Sequence, residues 1–272
     1  MKRYIFILAL VLMFSVTLTS CGLIRGGEYA NAQETEAETE TVEEAPPTVY
    51  PDPDGKKVVI LDAGHGFRDV GCDTDLMDGC EADVTIAVTS ILKEKLEKCG
   101  VKVIMTHDGV TYPTVEEMKA LADKYSIEYA DEEMIENDIF SAYERAVYSS
   151  AVAKKENADL FLSLHVNSIE GHPEHSQYEM DYYAKNPYAS AIQLFCEDLA
   201  SKLDNKSRIS ADEFENAFRV TKHGAHPSVL FEMGYATNET DAEKLNSPQW
   251  REDLCETITD CIVEWINEYE EK

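Results

Sequence analysis

Between Val58 and the C-terminus, short apolar runs alternate with stretches of helical periodicity, and this alternation limits the folds open to the chain more than any other feature. Val58-Val59-Ile60-Leu61 runs into Asp-Ala-Gly-His-Gly, the pattern of a buried strand that stops at a turn. Val84, Val88, Ile91, Leu92, Leu96 and Cys99 keep helical spacing up to Gly100, a residue suited to closing a helix. Val101 to Met105 reads as a second strand. A helix through Ile139, Tyr143, Val147 and Val152 leads into a third strand over Ala158–Leu164. Tyr178–Tyr183 alternates as a strand, and Tyr188, Ile192, Phe195, Leu199 and Leu203 mark a helix. Val229–Phe231 is a further strand, followed by an amphipathic helix through Leu254, Ile258, Cys261, Ile262, Trp265 and Tyr269. The reading is an α/β fold: a mixed, mostly parallel twisted sheet of about six strands with helices on both faces. In such sheets chemistry gathers at the carboxyl ends of the strands.

The 272-residue chain begins differently. Lys2 and Arg3 precede an apolar stretch from Ile5 to Val16, too short to span a membrane and placed like an export signal. Leu18-Thr19-Ser20-Cys21-Gly22 resembles the bacterial lipoprotein cleavage box, which implies removal of residues 1–20 and acylation of Cys21. A plain secretory signal with an incidental cysteine is the alternative. Residues 21–55 hold nine acidic residues and, from Gly26 to Gly55, no basic one, so they read as an acidic, disordered tether. Residues 56–272 then form one domain with 21 basic and 44 acidic residues, a formal charge of -23 within a chain total of -29. That balance excludes nucleic acid as a partner, since a phosphate backbone requires a basic footprint. It also repels other anionic polymers, so confinement outside the cytoplasm falls to the lipid on Cys21, anchored in the cell membrane.

Cys72, Cys80, Cys99, Cys196, Cys255 and Cys261 include no CxxC pair, which argues against a zinc ribbon or a thioredoxin-like motif. An exported chain permits disulfides, and Cys72 with Cys80, bracketing a short acidic loop, is the expected pair; buried free thiols are the equal alternative. Four residues stand at or near strand ends: His65 after the first strand, His165 at the end of the third, Glu232 at the end of Val229–Phe231, and Glu81 at the start of the first helix. Glu81 lies three residues before Val84 and seven before Val88, on the helix face that packs against the sheet. Two imidazoles and one carboxylate with an open fourth position form the ligand pattern of a catalytic zinc site. Singly, each has a plainer role as a hydrogen-bonded structural histidine or a helix-capping acid.

The ordered segments DAGHGFRDVG, EADVTIA, ADLFLSLHVN and PSVLFEMGYATN resemble the zinc-dependent N-acetylmuramoyl-L-alanine amidases of the amidase_3 type. The resemblance spans essentially all of 56–272. It implies that His65, Glu81 and His165 bind Zn2+ and that Glu232 is the catalytic base. The implied reaction is hydrolysis of the amide joining N-acetylmuramic acid to L-alanine in peptidoglycan. Asp62 and Asn167 become candidates for orienting the histidines, and Arg145 matches an arginine of the helix before the third strand.

Phe67 and His107 depart from the family pattern, which usually has a glycine and an arginine there. The segment from about 108 to 141 is longer than the usual connection. Between Pro113 and Asp138 it carries nine acids against Lys119 and Lys124, with a thin apolar face of Met118, Leu121 and Tyr125. It reads as a helical lid that narrows substrate choice or receives an activator protein, or as a decorative insertion. His172, His175, His223 and His226 are expected to be ordinary loop residues rather than ligands. Two other functions stay open: a non-catalytic wall-binding lipoprotein, and a zinc peptidase cutting a stem-peptide bond.

Overall fold

The computed structural model describes residues 57–135, 139–213, 217–222 and 226–269. The export signal, Cys21, the acidic tether and His223 lie outside these residues. Six strands form one sheet: β1 (Val58–Ala63), β2 (Lys102–Met105), β3 (Leu160–Asn167), β4 (Tyr178–Tyr183), β5 (Ser207–Asp212) and β6 (Ser228–Tyr235). Their order is β2-β1-β3-β6-β4-β5, with β4 antiparallel to β6 and every other pairing parallel. The mixed, mostly parallel sheet is therefore as expected. Seven helices accompany it: α1 (Glu81–Lys98), α2 (Val115–Tyr125), α3 (Ala142–Glu156), α4 (Ala189–Lys202), α5 (Arg219–Lys222), α6 (Glu239–Asn246) and α7 (Pro248–Tyr269).

The inner residues of β1, β3 and β6 serve two cores, which explains why these strands read as continuous apolar runs rather than as alternation. Val59 and Leu61 of β1 pack with Val84, Val88, Leu92 and Leu96 of α1, while Ile60 between them packs with Ala146 and Val152 of α3. On the α1 side the same core takes in Phe195 and Leu199 of α4 and Ile258, Ile262 and Trp265 of α7. Cys255 Sγ donates to Val88 O and Trp265 Nε1 to Ala191 O, fastening α7 to both neighbours. Leu92 is fully buried, so Leu92→Ala would cost about 2–5 kcal/mol.

From β1 the chain moves through α1 to β2 on one side, then through α3 to β3 on the other. The carboxyl ends of β1 and β3 thus flank the point where connections diverge, the usual crevice of an open α/β sheet. Two strands run further than their apolar cores indicate. β3 continues through His165 to Asn167, and β6 through Glu232 to Tyr235, so Glu232 lies inside its strand, three residues from the end. Their polar residues remain in the ladder because His165 pairs with Glu232 and Glu179 of β4 pairs with Glu232 from the other side.

The insertion forms the expected helix, and none of its described residues lines the crevice. Thr114 and Glu117 form a reciprocal capping box at the start of α2, and Ser126 closes it in the left-handed region. Met118 and Ala122 are fully buried against Phe140, Tyr143 and Val147, so α2 is docked on α3. The expected Cys72–Cys80 bond is not formed. Cys72 Sγ points to Val166 O at 3.5 Å and Cys80 Sγ to Asp83 Oδ2 at 3.3 Å, and all six described cysteines are free. Among the described residues no helix is long and apolar enough to cross a membrane.

Candidate active site

The turn after β1 is built to present one ring. His65 and Phe67 both have positive φ, 64° and 61°, an arrangement that non-glycine residues hold only when their surroundings impose it. Gly64 N donates to Leu164 O at 2.8 Å, joining the turn to β3. A side chain at Gly64 would place its Cβ 2.5 Å from the His165 ring, and one at Gly71 would meet Glu81 Oε2 at 2.5 Å and the His65 ring at 2.7 Å. Only glycine fits at either position.

Glu81, the first residue of α1, joins the two rings. Its Oε1 lies 3.0 Å from His165 Nδ1 and 3.3 Å from His65 Nε2, and the ring centroids are 5.0 Å apart at 78°. One donor atom from each of His65, Glu81 and His165 falls within 4.8 Å of the others. The carboxylate is fixed by the Val166 and Cys72 amides, at 2.9 Å each. Burial opposes its charge, but His165 and His65 outweigh that and hold Glu81 well below the usual carboxylate range. Burial wins at the deeper His165 and lowers its pKa, keeping the ring neutral; at His65 burial is outweighed by Glu81 and Asp69, and the pKa is raised. Two neutralisable imidazoles and an anionic carboxylate are a borderline-cation donor set.

Below this site lies a polar network. Arg145, 1% exposed, donates from Nη1 to Asp62 Oδ2 at 2.7 Å and to Ala63 O at 3.0 Å. Asp62 also accepts from Ser163 and Thr106, both at 2.6 Å, and these partners with Arg145 offset its burial and lower its pKa. His107 Nε2 sits 2.8 Å from the same Ala63 carbonyl. Arg145 and His107 thus clamp the last residue of β1, two residues before His65. Asp62, a candidate for orienting a histidine, is occupied by Arg145 and two hydroxyls. Asn167 likewise reaches Glu179, not a ring, with Nδ2 3.3 Å from Oε2. A second carboxylate beside His65 is Asp69, whose Oδ2 lies 2.9 Å from Nδ1 as an ion-pair contact.

Glu232 faces the crevice from β6, 7% exposed, with Oε2 buried and without a hydrogen-bond partner. Burial, followed by the charges of Glu81, Asp181 and Glu179, pushes its carboxyl well above the ordinary range. Asp181 and Glu179 form their own cluster on β4. Arg208 of β5 bridges Glu179 at 2.7 Å and Asp181 at 3.0 Å, while the Tyr235 hydroxyl donates to Glu179. The crevice holds about 600 Å³ and contains His65, Glu81, His165 and Glu232 among its lining residues. Cys72, Arg145, Phe218 and Arg219 also line it. No described residue from 108 to 141 does.

The structure therefore brings together all four residues singled out in the sequence. His226 is buried among apolar groups beside Phe161, which lowers its pKa to about 4, and does not line the crevice. His172 and His175, with Glu174, form a second group whose donor atoms lie within 4.8 Å, but all three are exposed. Asp69, the Glu179–Arg208–Asp181 cluster and Arg219 escaped sequence reasoning. Asp69 stands in a turn, Arg219 opens a four-residue helix too short to show a period, and the β5 strand that carries Arg208 is polar and half-exposed.

The fold is that of solved cell-wall amidase structures. AmiC2 from Nostoc punctiforme superposes with a TM-score of 0.55 at 23% identity, covering 78% of this chain and 98% of that one. The CwlD amidase of Clostridioides difficile, solved in complex with the GerS lipoprotein, gives 0.51 at 22% identity, covering 78% and 99%. In sequence, the germination-specific N-acetylmuramoyl-L-alanine amidase of Bacillus subtilis is 27% identical over 216 residues, 78% of this chain and 81% of that protein. Residues 59–264 match the Amidase_3 family, N-acetylmuramoyl-L-alanine amidase, and the chain belongs to it.

Proposed function

We propose that this chain is a zinc-dependent amidase that cleaves the bond between N-acetylmuramic acid and L-alanine in peptidoglycan, with His65, Glu81 and His165 as the metal ligands and Glu232 as the catalytic base. The observation that carries the reading is the coincidence, in one crevice, of three converging donors and a buried carboxylate oxygen with no partner. His65, Glu81 and His165 would hold the zinc, which when bound would supply Lewis acidity toward a carbonyl and a water. Glu232 Oε2 takes the proton of the attacking water and passes it to the leaving amine of L-alanine. Its raised pKa strengthens the carboxylate as a base and favours retention of the proton until that second transfer. Arg145, Asp62 and His107 hold the end of β1 so that His65 keeps its place.

Digestion of purified peptidoglycan followed by mass spectrometry tests this. New N-terminal alanine with intact glycan strands is the expected result. A different new terminus would identify a stem-peptide peptidase, and an unchanged wall would identify a binding protein. The proposal extends to placement: Cys21 carries the lipid, and the acidic tether holds the domain off the membrane outside the cytoplasm. Detergent phase partitioning of wild type against Cys21→Ala tests it, with the wild type expected in the detergent phase and the variant in the aqueous one. The family relative bound to a lipoprotein supports a protein partner as well; the exposed acids of the insertion are the surface proposed for it.

A further inference from the structure

The acids that line the crevice (Asp69, Glu81 and Glu232) and the domain's charge of -23 would turn an anionic substrate away unless a cation received it. Among the described residues two cations line the crevice. Arg145 is buried and bound to Asp62 and Ala63 O. Arg219 of α5 is half-exposed, its guanidinium carbon 5.3 Å from the centroid of the Tyr143 ring. Its partner is Glu133 of the insertion, itself 41% exposed. Tyr143 ties the insertion to the same spot, accepting the Ala130 amide on its hydroxyl at 2.6 Å. The rim of the crevice thus carries a guanidinium stacked on an aromatic ring and paired with an exposed carboxylate. Such a pair is weak in water, so another carboxylate can displace it, and a planar guanidinium receives a carboxylate in two parallel hydrogen bonds.

The geometry points to Arg219 as a carboxylate subsite for the peptide side of the substrate, with Glu133 as the occupant that an incoming carboxylate replaces. This rests on the amidase reading: the stem peptide leaving with L-alanine carries a free α-carboxyl on its second residue, one residue from the scissile bond, and Arg219 lines the same crevice as the three donors and Glu232. The insertion then acts on specificity through one side chain, not as a lid. The test compares N-acetylmuramoyl-L-alanyl-D-glutamate with the same compound amidated at the α-carboxyl. Wild type should show a KM about ten-fold lower for the acid, the size expected of one charge-assisted pair. Arg219→Gln should abolish that preference, and Glu133→Gln should widen it two- to three-fold, roughly the effect of removing a weak competitor. A mere strut predicts the opposite pattern, in which both substitutions weaken both substrates alike; that result, or a wild type indifferent to amidation, overturns the subsite. Calorimetric titration of both compounds into Glu232→Gln protein repeats the comparison without turnover. Absence of cleavage by zinc-loaded wild type would therefore sink the amidase reading, while equal binding of the two compounds would sink the subsite alone.

Discussion

Glu81 and Glu232 line one crevice in opposite electrostatic settings. On the flank built by β1, α1 and β3, Glu81 receives two backbone amides and lies against two imidazoles, and its pKa is held low. On the flank built by β6, β4 and β5, Glu232 is as deeply buried but has three other carboxylates for neighbours and an oxygen with no partner, and its pKa is pushed up. The same functional group is thereby held as an anion in one place and disposed to keep a proton in the other. Environment, not residue type, divides the labour between them.

Exchanging the roles should have the largest consequences. Glu232→Gln is expected to lower kcat by about 10²–10⁴-fold on muropeptides, the range for loss of a general acid–base group, with the fold intact by circular dichroism. A loss under ten-fold would show that Glu232 is not the base. Gly71→Ala attacks the other flank without replacing a proposed ligand: its φ of 69° and the 2.5 Å approach to Glu81 Oε2 force the carboxylate or the loop to move. Metal affinity should fall about 10–100-fold, and stability by about 1–3 kcal/mol.

Asp181 probes the crowded flank by itself. Burial, against the pull of Arg208, raises its carboxyl to about 6 from the ordinary 3.8. Between those values the folded protein keeps a proton the unfolded chain has released, so this group's contribution to stability falls as pH rises through the window and is fully unfavourable above it. Asp181→Asn should therefore stabilise the protein by about 1–3 kcal/mol at pH 8 and by almost nothing at pH 4 in chemical denaturation. Equal effects at both pH values would mean that Asp181 is not carrying a strained charge. The smallest effect belongs to the exposed second donor group: His172→Ala should leave zinc stoichiometry and activity unchanged, and loss of a bound ion would show that this loop is a site as well.

Much of this was legible in the sequence because a sheet covered on both faces writes its strands as apolar runs. β1 and the helix after it could be read almost to the residue, and with them the positions of His65 and Glu81. The ends of β3 and β6 were not, since His165, Asn167 and Glu232 stay in the ladder as polar residues that periodicity discounts. β5 was missed for a related reason: it is an edge strand, Ser207–Asp212, whose half-exposed polar side chains imitate a loop. The Cys72–Cys80 expectation failed because nearness along the chain says nothing of direction, and one thiol turns to β3 while the other turns to its own helix. Asp69 as the carboxylate beside His65, in place of Asp62, could not be read from spacing, because the clamp of Arg145 on Asp62 spans 83 residues.

The division between the two glutamates is tested most directly by zinc content, measured by mass spectrometry on purified Glu81→Gln and Glu232→Gln proteins beside wild type. One zinc per chain in wild type and in Glu232→Gln, with the metal lost from Glu81→Gln and activity lost from both, is the predicted result. Retention of zinc by Glu81→Gln, or its loss from Glu232→Gln, would contradict the assignment of one carboxylate to the metal and the other to the proton.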